Sequence, residues 1–489
     1  MWNFSDLYDR KYLMRCLFFI AFVFGLMKVT GGAGFVIVVP VVFCALMARK
    51  TEILFLGLLV SICAVVVNHH VITKGAVFAW TQRGLMVGLG LCMTVQMLSQ
   101  HTHRAMKPYL GMMAYLLVAL ISSLQGWCPS ISLMKLFLFV LIYSSLFGVA
   151  NQVGCSYGVS SRHIRSIMLS VAIFFVLGSM ALIPFPALGQ MGAKEAENFT
   201  LSTSLFMGMT NQPQCLGPVV STVAVIVFSD LLFSIRKWDS LYLLILLSCP
   251  YLIYKTSSRT GMGAFALGML FVVYLFMISR GVGSRWKRKA MNAVVFVGFV
   301  GLCVAVCLPG VRKGAAKFVL KTSGEGTPIT TEAVLSSRQA LIDRSLYNFK
   351  QSPFIGNGFQ VSESMKGWKM NRLILTAPVE KGVWVTAVLE ETGVVGFSVF
   401  VLFLVGCIVI SVKRRAYMGA ACLFVCTLTN LGEFTFFSMS YSGGFIWTMV
   451  FVGLALDIRR INDERVRAMV GMRGLPMYGL PMMAGGGRL

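Results

Sequence analysis

Charged residues are scarce in this chain of 489 residues. Only 12% of the residues are charged and only 18 are acidic, whereas 57% are hydrophobic. A soluble globular protein carries about 25% charged residues, so this chain has too little charge to cover the surface of a soluble body of its size. The composition excludes a cytosolic enzyme, a disordered protein, a collagen-like fibre and a secreted disulfide scaffold. It predicts a polytopic integral membrane protein.

Metal-binding patterns are also missing. The 13 Cys lie mostly within apolar runs, and the chain has only five His. There is no Cys-x-x-Cys pair, and no Cys and His stand at the spacing of a zinc site. We therefore predict no metal site and no cofactor.

Apolar runs of about 16 to 20 residues predict membrane-spanning helices. About fourteen runs of this kind give an all-α polytopic membrane protein. The predicted spans are 13–30, 32–48, 51–67, 84–99, 108–124, 131–150, 166–186, 213–233, 239–254, 261–279, 289–309, 393–411, 416–432 and 441–457.

Basic residues are distributed unequally between alternate loops. One set holds runs such as Arg10-Lys11, Arg49-Lys50 and Lys413-Arg414-Arg415, whereas the short loops of the other set hold one or two basic residues each. The positive-inside rule then predicts that both termini are cytoplasmic. Much of the net charge of +25 is explained by topology and by contact with anionic lipid headgroups, so no nucleic-acid partner is expected.

The predicted order divides the chain into four parts. Residues 1–309 form spans one to eleven, 310–392 an external periplasmic loop, 393–457 spans twelve to fourteen, and 458–489 a disordered cytoplasmic tail. Within the loop, the helical spacing of apolar residues over Thr331–Lys350 predicts an amphipathic helix on the membrane surface. The breaker Ser352–Gly358 ends this helix.

Two clusters of basic residues are predicted on the outer side. Ser258 and Arg259 stand at the start of a helix, where backbone N–H groups, a hydroxyl and a guanidinium together suit an anion. A simple capped turn is the alternative. Arg338 and Arg344 belong to the external helix, where a solvated face or a lipid contact is the alternative.

A third cluster lies where the loop re-enters the membrane and contains Glu380, Lys381 and Glu391. A carboxylate at such a boundary is partly desolvated, which favours a general base. The alternative is a set of interfacial charges at a helix end.

A fourth cluster, at the outer start of the eighth span, contains Asn211 and Gln214. Neutral amides at this depth suit sugar hydroxyls, and the alternative is a polar cap before Pro213. Glu433, at the outer end of the thirteenth span, is predicted to join this surface. The four clusters predict an outward basic pocket for a phosphate group and carbohydrate hydroxyls.

In the order and spacing of its motifs the chain resembles the O-antigen ligase and polymerase family of bacterial membrane glycosyltransferases. A Ser-Arg-x-Gly element is matched by Ser258–Gly261, and an external Arg followed by Pro-x-x-Gly-x-Gly is matched by Arg338 and Pro353–Gly358. A Leu-x-Glu-Thr-Gly element is matched by Leu389–Gly393, and a Gly-x-x-x-x-Pro-Asn element by Gly208–Gln214, with Gln in place of Asn.

Two departures from the family pattern stand out. The family has a His-Asn pair about nine residues before the Glu of Glu-Thr-Gly, whereas this chain has Glu380 and Lys381 in that stretch. The family often has an Arg shortly before the residue matched by Gly208, and residues 204–207 contain none. The His mechanism is therefore not carried over, which leaves a divergent subgroup or an inactive relative.

The resemblance implies a GT-C-type glycosyltransferase of the bacterial inner membrane that uses neither metal nor nucleotide sugar. The donor would be an oligosaccharide on undecaprenyl pyrophosphate, and the acceptor a glycan, a lipid A core or a protein. Arg259 and Arg338 would hold the leaving pyrophosphate, Glu380 would act as base with Glu391 as second choice, and Lys381 would help to bind phosphate.

Three functions remain open from the sequence. The family motifs do not separate a polymerase, with a chain-length regulator as candidate partner, from a ligase. A lipid-linked glycan flippase would need charged residues lining a central cavity, and the middle regions of the predicted spans are nearly free of charge. A non-catalytic subunit of polysaccharide assembly would explain the missing His.

Overall fold

The computed structural model describes residues 8–99, 101–156, 159–191, 205–233, 239–279, 331–365, 381–432, 434–438 and 442–472. Within these ranges every regular element is a helix, so the predicted all-α class is confirmed for this part of the chain. Eight of the described helices are long and apolar enough to cross a membrane. These features indicate a polytopic, membrane-embedded protein.

The described helices are numbered here in chain order. They are α1 (Arg10–Val29), α2 (Val38–Met47), α3 (Thr51–Val66), α4 (Ala76–Ser99), α5 (Met112–Gln125), α6 (Pro129–Cys155), α7 (Ser161–Ala181), α8 (Pro213–Phe233), α9 (Ser240–Lys255), α10 (Arg259–Ile278), α11 (Thr331–Gln351), α12 (Trp384–Lys413), α13 (Tyr417–Thr429) and α14 (Ser442–Met472). Single 3₁₀ turns precede α2 and α5, and α7 contains one π-helical turn at Ile173–Leu177.

Every predicted span except 289–309, which lies outside the described residues, coincides with a helix. The predicted external helix is α11, which ends at Gln351, just before the predicted breaker. The external loop and the division into four parts are otherwise still predictions.

Two helix boundaries differ from the sequence prediction. Helix α14 continues to Met472, past the predicted limit at 457, because ion pairs one turn apart support its polar end: Arg459 with Asp463 at 3.2 Å and Arg460 with Glu464 at 3.1 Å. Helix α12 begins at Trp384 rather than 393. A hydropathy pattern stops at Glu390 and Glu391, although protein contacts bury both side chains.

Helix α8 forms the centre of the bundle. In its apolar segment 94% of the residues are buried, which fits a helix that is apolar on all sides. Helix α12 lies at the edge, since only 33% of its apolar segment is buried and Leu402 keeps 72% of its surface exposed. The exposed apolar side of α12 is the side that would contact lipid.

The helix ends gather on two opposite faces. On one face, the Asn211 N–H donates to the Val66 carbonyl (2.8 Å) and the Trp384 N–H donates to the Asn430 carbonyl (3.1 Å). We call this the motif face; it comprises the turns at 67–75, 126–128, 208–213, 256–258, 352–360, 381–383 and 430–432. The sequence predicts all of these turns on the outer side of the membrane. Their contacts with one another therefore agree with the alternation of loops between the two sides that the loop charges predict.

The other face carries ion pairs between helix ends that are predicted to be cytoplasmic. Arg165 Nε lies 2.9 Å from a carboxylate oxygen of Asp230, and the Tyr242 hydroxyl donates to the same carboxylate at 2.7 Å. The Arg459 guanidinium donates to the Ser156 carbonyl at 3.0 Å. The cytoplasmic position of this face is still a prediction.

Candidate functional site

Helix α12 is broken at Gly393, which directly follows Glu390, Glu391 and Thr392. Gly393 has φ 64° and ψ −170°, a conformation open essentially to glycine alone. The N–H groups of Val394 and Val395 therefore do not bond to the carbonyls four residues earlier. They donate instead to the carbonyls of Pro353 (2.8 Å) and Phe354 (3.3 Å).

The carbonyls released by the break are bonded by the same neighbouring segment. The Asn357 N–H donates to the Glu390 carbonyl (2.9 Å), and the Gly358 N–H donates to the Glu391 carbonyl (3.1 Å). The Ser122 hydroxyl of α5 also donates to the Glu391 carbonyl. Residues 353–358 and 390–395 thus complete one another's backbone hydrogen bonds, and we call this pairing the motif joint.

Glycine is required on both sides of the motif joint. Gly356 has φ 84°, and a Cβ there would lie 2.4 Å from the Glu391 carbonyl group. A Cβ on Gly393 would lie 2.2 Å from the Phe354 carbonyl oxygen. The two sequence motifs, Pro353–Gly358 and Leu389–Gly393, are therefore halves of one structural element.

A buried charge cluster lies against the motif joint. Lys381 Nζ is 3.3 Å from a Glu390 oxygen and 3.2 Å from a Glu391 oxygen, and each of the three side chains is at most 3% exposed. These contacts are electrostatic rather than aligned hydrogen bonds. The Asn348 amide of α11 donates to Glu390 at 3.0 Å, and Lys135 of α6 donates to the Gln360 carbonyl at 3.1 Å. Opposite charges and polar contacts therefore accompany the burial of each charge.

Arg259 and Arg338 both lie on the motif face, within electrostatic range of each other. Ser258 caps α10, and its hydroxyl accepts a hydrogen bond from the Gly261 N–H (3.1 Å), which places Arg259 in the first turn of the helix. Arg338 lies in α11, near enough for its charge to act on the Arg259 guanidinium. Both side chains are partly exposed. Two neighbouring cations that reach solvent suit an anion with more than one charge.

The arginines and the buried charge cluster are joined through short packing contacts. Gly382, next to Lys381, lies against α11, where a Cβ would be 3.8 Å from the Arg338 carbonyl oxygen. Thr260, next to Arg259, packs against Gly432 at the end of α13. Three of the four predicted clusters therefore meet at one place.

The fourth predicted cluster borders the first. Asn211 and Gln214 are partly exposed at the start of α8. One turn further along, Gly217 packs on Ser258, where a Cβ would lie 2.5 Å from the hydroxyl oxygen. Arg344 is exposed farther along α11. Glu380 and Glu433 lie outside the described residues, so their predicted roles stay predictions.

Sequence analysis missed the buried asparagines that build this face. Asn68 is fully buried, and its amide donates to the carbonyls of Leu188 and Gly208, both at 2.7 Å. Asn430 is also fully buried, and its side-chain oxygen accepts from the N–H groups of Thr435 (2.6 Å) and Phe436 (2.7 Å). An amide at the end of an apolar run was the available signal, because polar groups at membrane depth must find partners.

No protein-family model matches the chain, and no curated protein matches it at a significant level. Within the described ranges, no group of three or more His, Cys, Asp or Glu is placed to hold a metal ion. The site is thus defined by its own geometry: two partly exposed guanidinium groups on the face that also holds a buried charge cluster and a glycine-dependent backbone joint.

Proposed function

We propose that this protein is a membrane glycosyltransferase that takes a glycan from an undecaprenyl-pyrophosphate-linked donor at the motif face. The placement of Arg259 and Arg338 on one face, within electrostatic range of each other, carries the proposal. These two residues are far apart in sequence, and the family motifs that they resemble imply that each of them binds pyrophosphate. Guanidinium groups bind phosphate oxygens in a bidentate manner and stabilise charge that develops on a leaving group.

The proposed reaction is a displacement at the anomeric carbon of the donor. The acceptor hydroxyl forms the new C–O bond while the bond to pyrophosphate breaks, and the pyrophosphate keeps the electron pair. Arg259 and Arg338 neutralise this charge, and Ser258 adds a hydroxyl at the helix N-terminus. Glu380 accepts the proton of the acceptor hydroxyl.

Lys381 and Glu391 take a different role from the one predicted. The sequence predicts phosphate binding for Lys381 and a second candidate base in Glu391, yet both side chains are enclosed in the structure. We assign them to positioning, because their ion pair holds Lys381, the residue that follows Glu380 in the chain, against α12. Asn211 and Gln214, with Arg344 and Glu433, are proposed to bind glycan hydroxyls and phosphate.

The proposed cellular setting follows the same argument. The protein lies in the bacterial inner membrane with both termini in the cytoplasm, and the motif face opens to the periplasm. The acceptor is a growing glycan if the enzyme is a polymerase, and a lipid A core or a protein if it is a ligase. A chain-length regulator is a candidate partner of the polymerase.

The test compares Arg259→Ala and Arg338→Ala with Lys11→Ala, a change of an exposed cation at the opposite end of the bundle. Surface polysaccharide is measured in the native host per amount of membrane-inserted protein. Loss of a group that stabilises leaving-group charge costs about 10²- to 10³-fold in rate, so both arginine variants should lack long chains. Normal chains in both, at normal protein levels, would refute the proposal.

The transport alternative gives a different result in the same strains. A flippase variant that blocks export leaves the lipid-linked glycan facing the cytoplasm. A transferase variant leaves it accumulated on the outer leaflet, where it is open to externally added glycosidase. The outer-leaflet outcome is expected, because both arginines lie on the motif face.

A further inference from the structure

An exposed apolar surface adjoins the motif joint. The exposed fractions are 64% for Tyr347, 71% for Phe354, 44% for Val394 and 48% for Val395. The N–H of Val395 donates to the Phe354 carbonyl (3.3 Å), so the surface is continuous from the end of α11 to α12. We call these four residues the apolar rim.

The apolar rim continues the exposed apolar side of α12. Beyond Val395 this side includes Leu402 (72% exposed), Val405 (54%) and Val409 (43%). The spacing is that of one helix face, so a single stripe runs along α12 from the rim toward the opposite face. In a helix that crosses the membrane, such an exposed apolar stripe faces lipid. The apolar rim lies at the end of this stripe, on the motif face.

Neighbouring helix ends on the motif face carry the same kind of side chain. Tyr251 and Tyr254 at the end of α9 are 41% and 62% exposed, and Lys255 Nζ lies 5.6 Å from the Tyr251 ring centre. Exposed aromatic rings beside basic groups are typical of the headgroup layer of a bilayer. On α11, the exposed Arg344 and Lys350 flank Tyr347 at three residues to either side, where long basic side chains can extend to the headgroups.

We propose that residues 344–354, the second half of α11 and the turn after it, are immersed in the headgroup layer of the leaflet on the motif face. Tyr347 and Phe354 are the apolar anchors, and bilayer phospholipid is the occupant of the apolar rim. The proposal extends the expected surface helix to named contacts. It does not depend on glycosyl transfer.

The immersed segment is directly bonded to the motif joint. Asn348, next to Tyr347, bonds through its side chain to Glu390 and through its carbonyl to the Asn357 amide (2.8 Å). A lipid contact at Tyr347 is therefore one residue from the buried charge cluster. Attachment to the bilayer fixes the depth of the motif joint.

The test uses ¹⁹F NMR on the full chain in nanodiscs of phosphatidylethanolamine and phosphatidylglycerol. Trifluoromethyl-phenylalanine replaces Tyr347 or Phe354 in separate samples. Leu402 serves as the lipid reference and Ser364, an exposed polar residue on the motif face, as the water reference. Dissolved oxygen relaxes probes in lipid, and a water-soluble gadolinium chelate relaxes probes in water.

We expect both rim probes to respond to oxygen more strongly than the Ser364 probe but less than the Leu402 probe, which lies deeper in the bilayer, and to respond to gadolinium several-fold less than the Ser364 probe. Two probes keep the test valid if one replacement fails to fold. Relaxation like that of Ser364 at both sites would overturn the proposal. Protection from both reagents would also overturn it, since protein rather than lipid would then cover the rim. Activity is not measured, so neither result bears on the proposed function.

Discussion

Replacing Gly393 with Ala is the sharpest test of the motif joint. The new methyl group would lie 2.2 Å from the Phe354 carbonyl oxygen, in a conformation that non-glycine residues adopt only at a cost of about 1–3 kcal/mol. Moving backbone out of the way adds about 1–3 kcal/mol, and each disturbed backbone hydrogen bond adds about 1 kcal/mol. We expect Gly393→Ala to lower the free energy of unfolding by about 3–6 kcal/mol.

The variant has a second route, which the assay must detect. An alanine in place of Gly393 can adopt helical angles, and the N–H groups of Val394 and Val395 then return to the carbonyls of their own helix. This route preserves α12 but displaces Asn357 and Gly358. By either route the amides of Asn357 and Gly358 should exchange with solvent about 100-fold faster, as a local loss of about 3 kcal/mol requires.

Unfolding in a denaturing detergent series measures the stability, and hydrogen–deuterium exchange of the 353–358 segment measures the joint. Gly406→Ala is the matched control in the same helix, because no heavy atom beyond the local backbone of the helix lies within 4 Å of the added methyl group. The control should be neutral or gain up to about 1 kcal/mol from helix propensity. Equal stability and equal exchange in the two variants would refute the proposed pairing of the two motifs.

Three further predictions concern single buried groups. Lys381→Met leaves two carboxylates buried beside each other and should lower the free energy of unfolding by about 3–5 kcal/mol. In a double-mutant cycle, adding Glu391→Gln should restore part of that loss, whereas additive losses would mean that the two residues are not coupled. Asn68→Ala removes the donor to two carbonyls and should lower the free energy of unfolding in detergent by about 2–4 kcal/mol. The control Ser61→Ala loses a hydrogen bond only within α3 and should lower it by less than about 1 kcal/mol. Burial lowers the pKa of Lys74 to about 7, well below the ordinary value of about 10.4. Between these pH values the unfolded chain binds more protons than the folded chain, so the free energy of unfolding should rise with pH. Lys74→Met should flatten this rise, and an unchanged pH profile would contradict the role of Lys74.

The sequence predicted the membrane-spanning helices well because each contains an apolar run, and burial of such a run does not depend on its partner. It drew attention to Arg259 because charge beside a span is costly, and to Arg338 through the family motif that it resembles. It did not predict that Lys381 and Glu391 pair inside the protein. From sequence, a charge near a helix end looks the same whether it is solvated, exposed to lipid or enclosed.

The motif joint lay beyond sequence reasoning for a related reason. Asn357 and Gly358 bond through their backbone, and a backbone N–H carries no mark of its partner in the sequence. The sequence predicted a breaker at Ser352–Gly358 and a motif ending at Gly393, yet only the structure shows that Gly356 and Gly393 each leave room for the other's segment. Ser122, which bonds to the same carbonyl, is separated from Glu391 by 269 residues.

The break at Gly393 also constrains how the chain is built into the bilayer. The backbone groups at the break find their partners in residues 353–358 and in Ser122, so before docking an unbroken α12 is the form that keeps its own hydrogen bonds. We expect the helix to enter the membrane unbroken and to open at Gly393 when residues 353–358 dock onto it. Assembly of the motif joint is then a late step of folding, and chains halted before it would hold α12 as one straight helix with an unformed site.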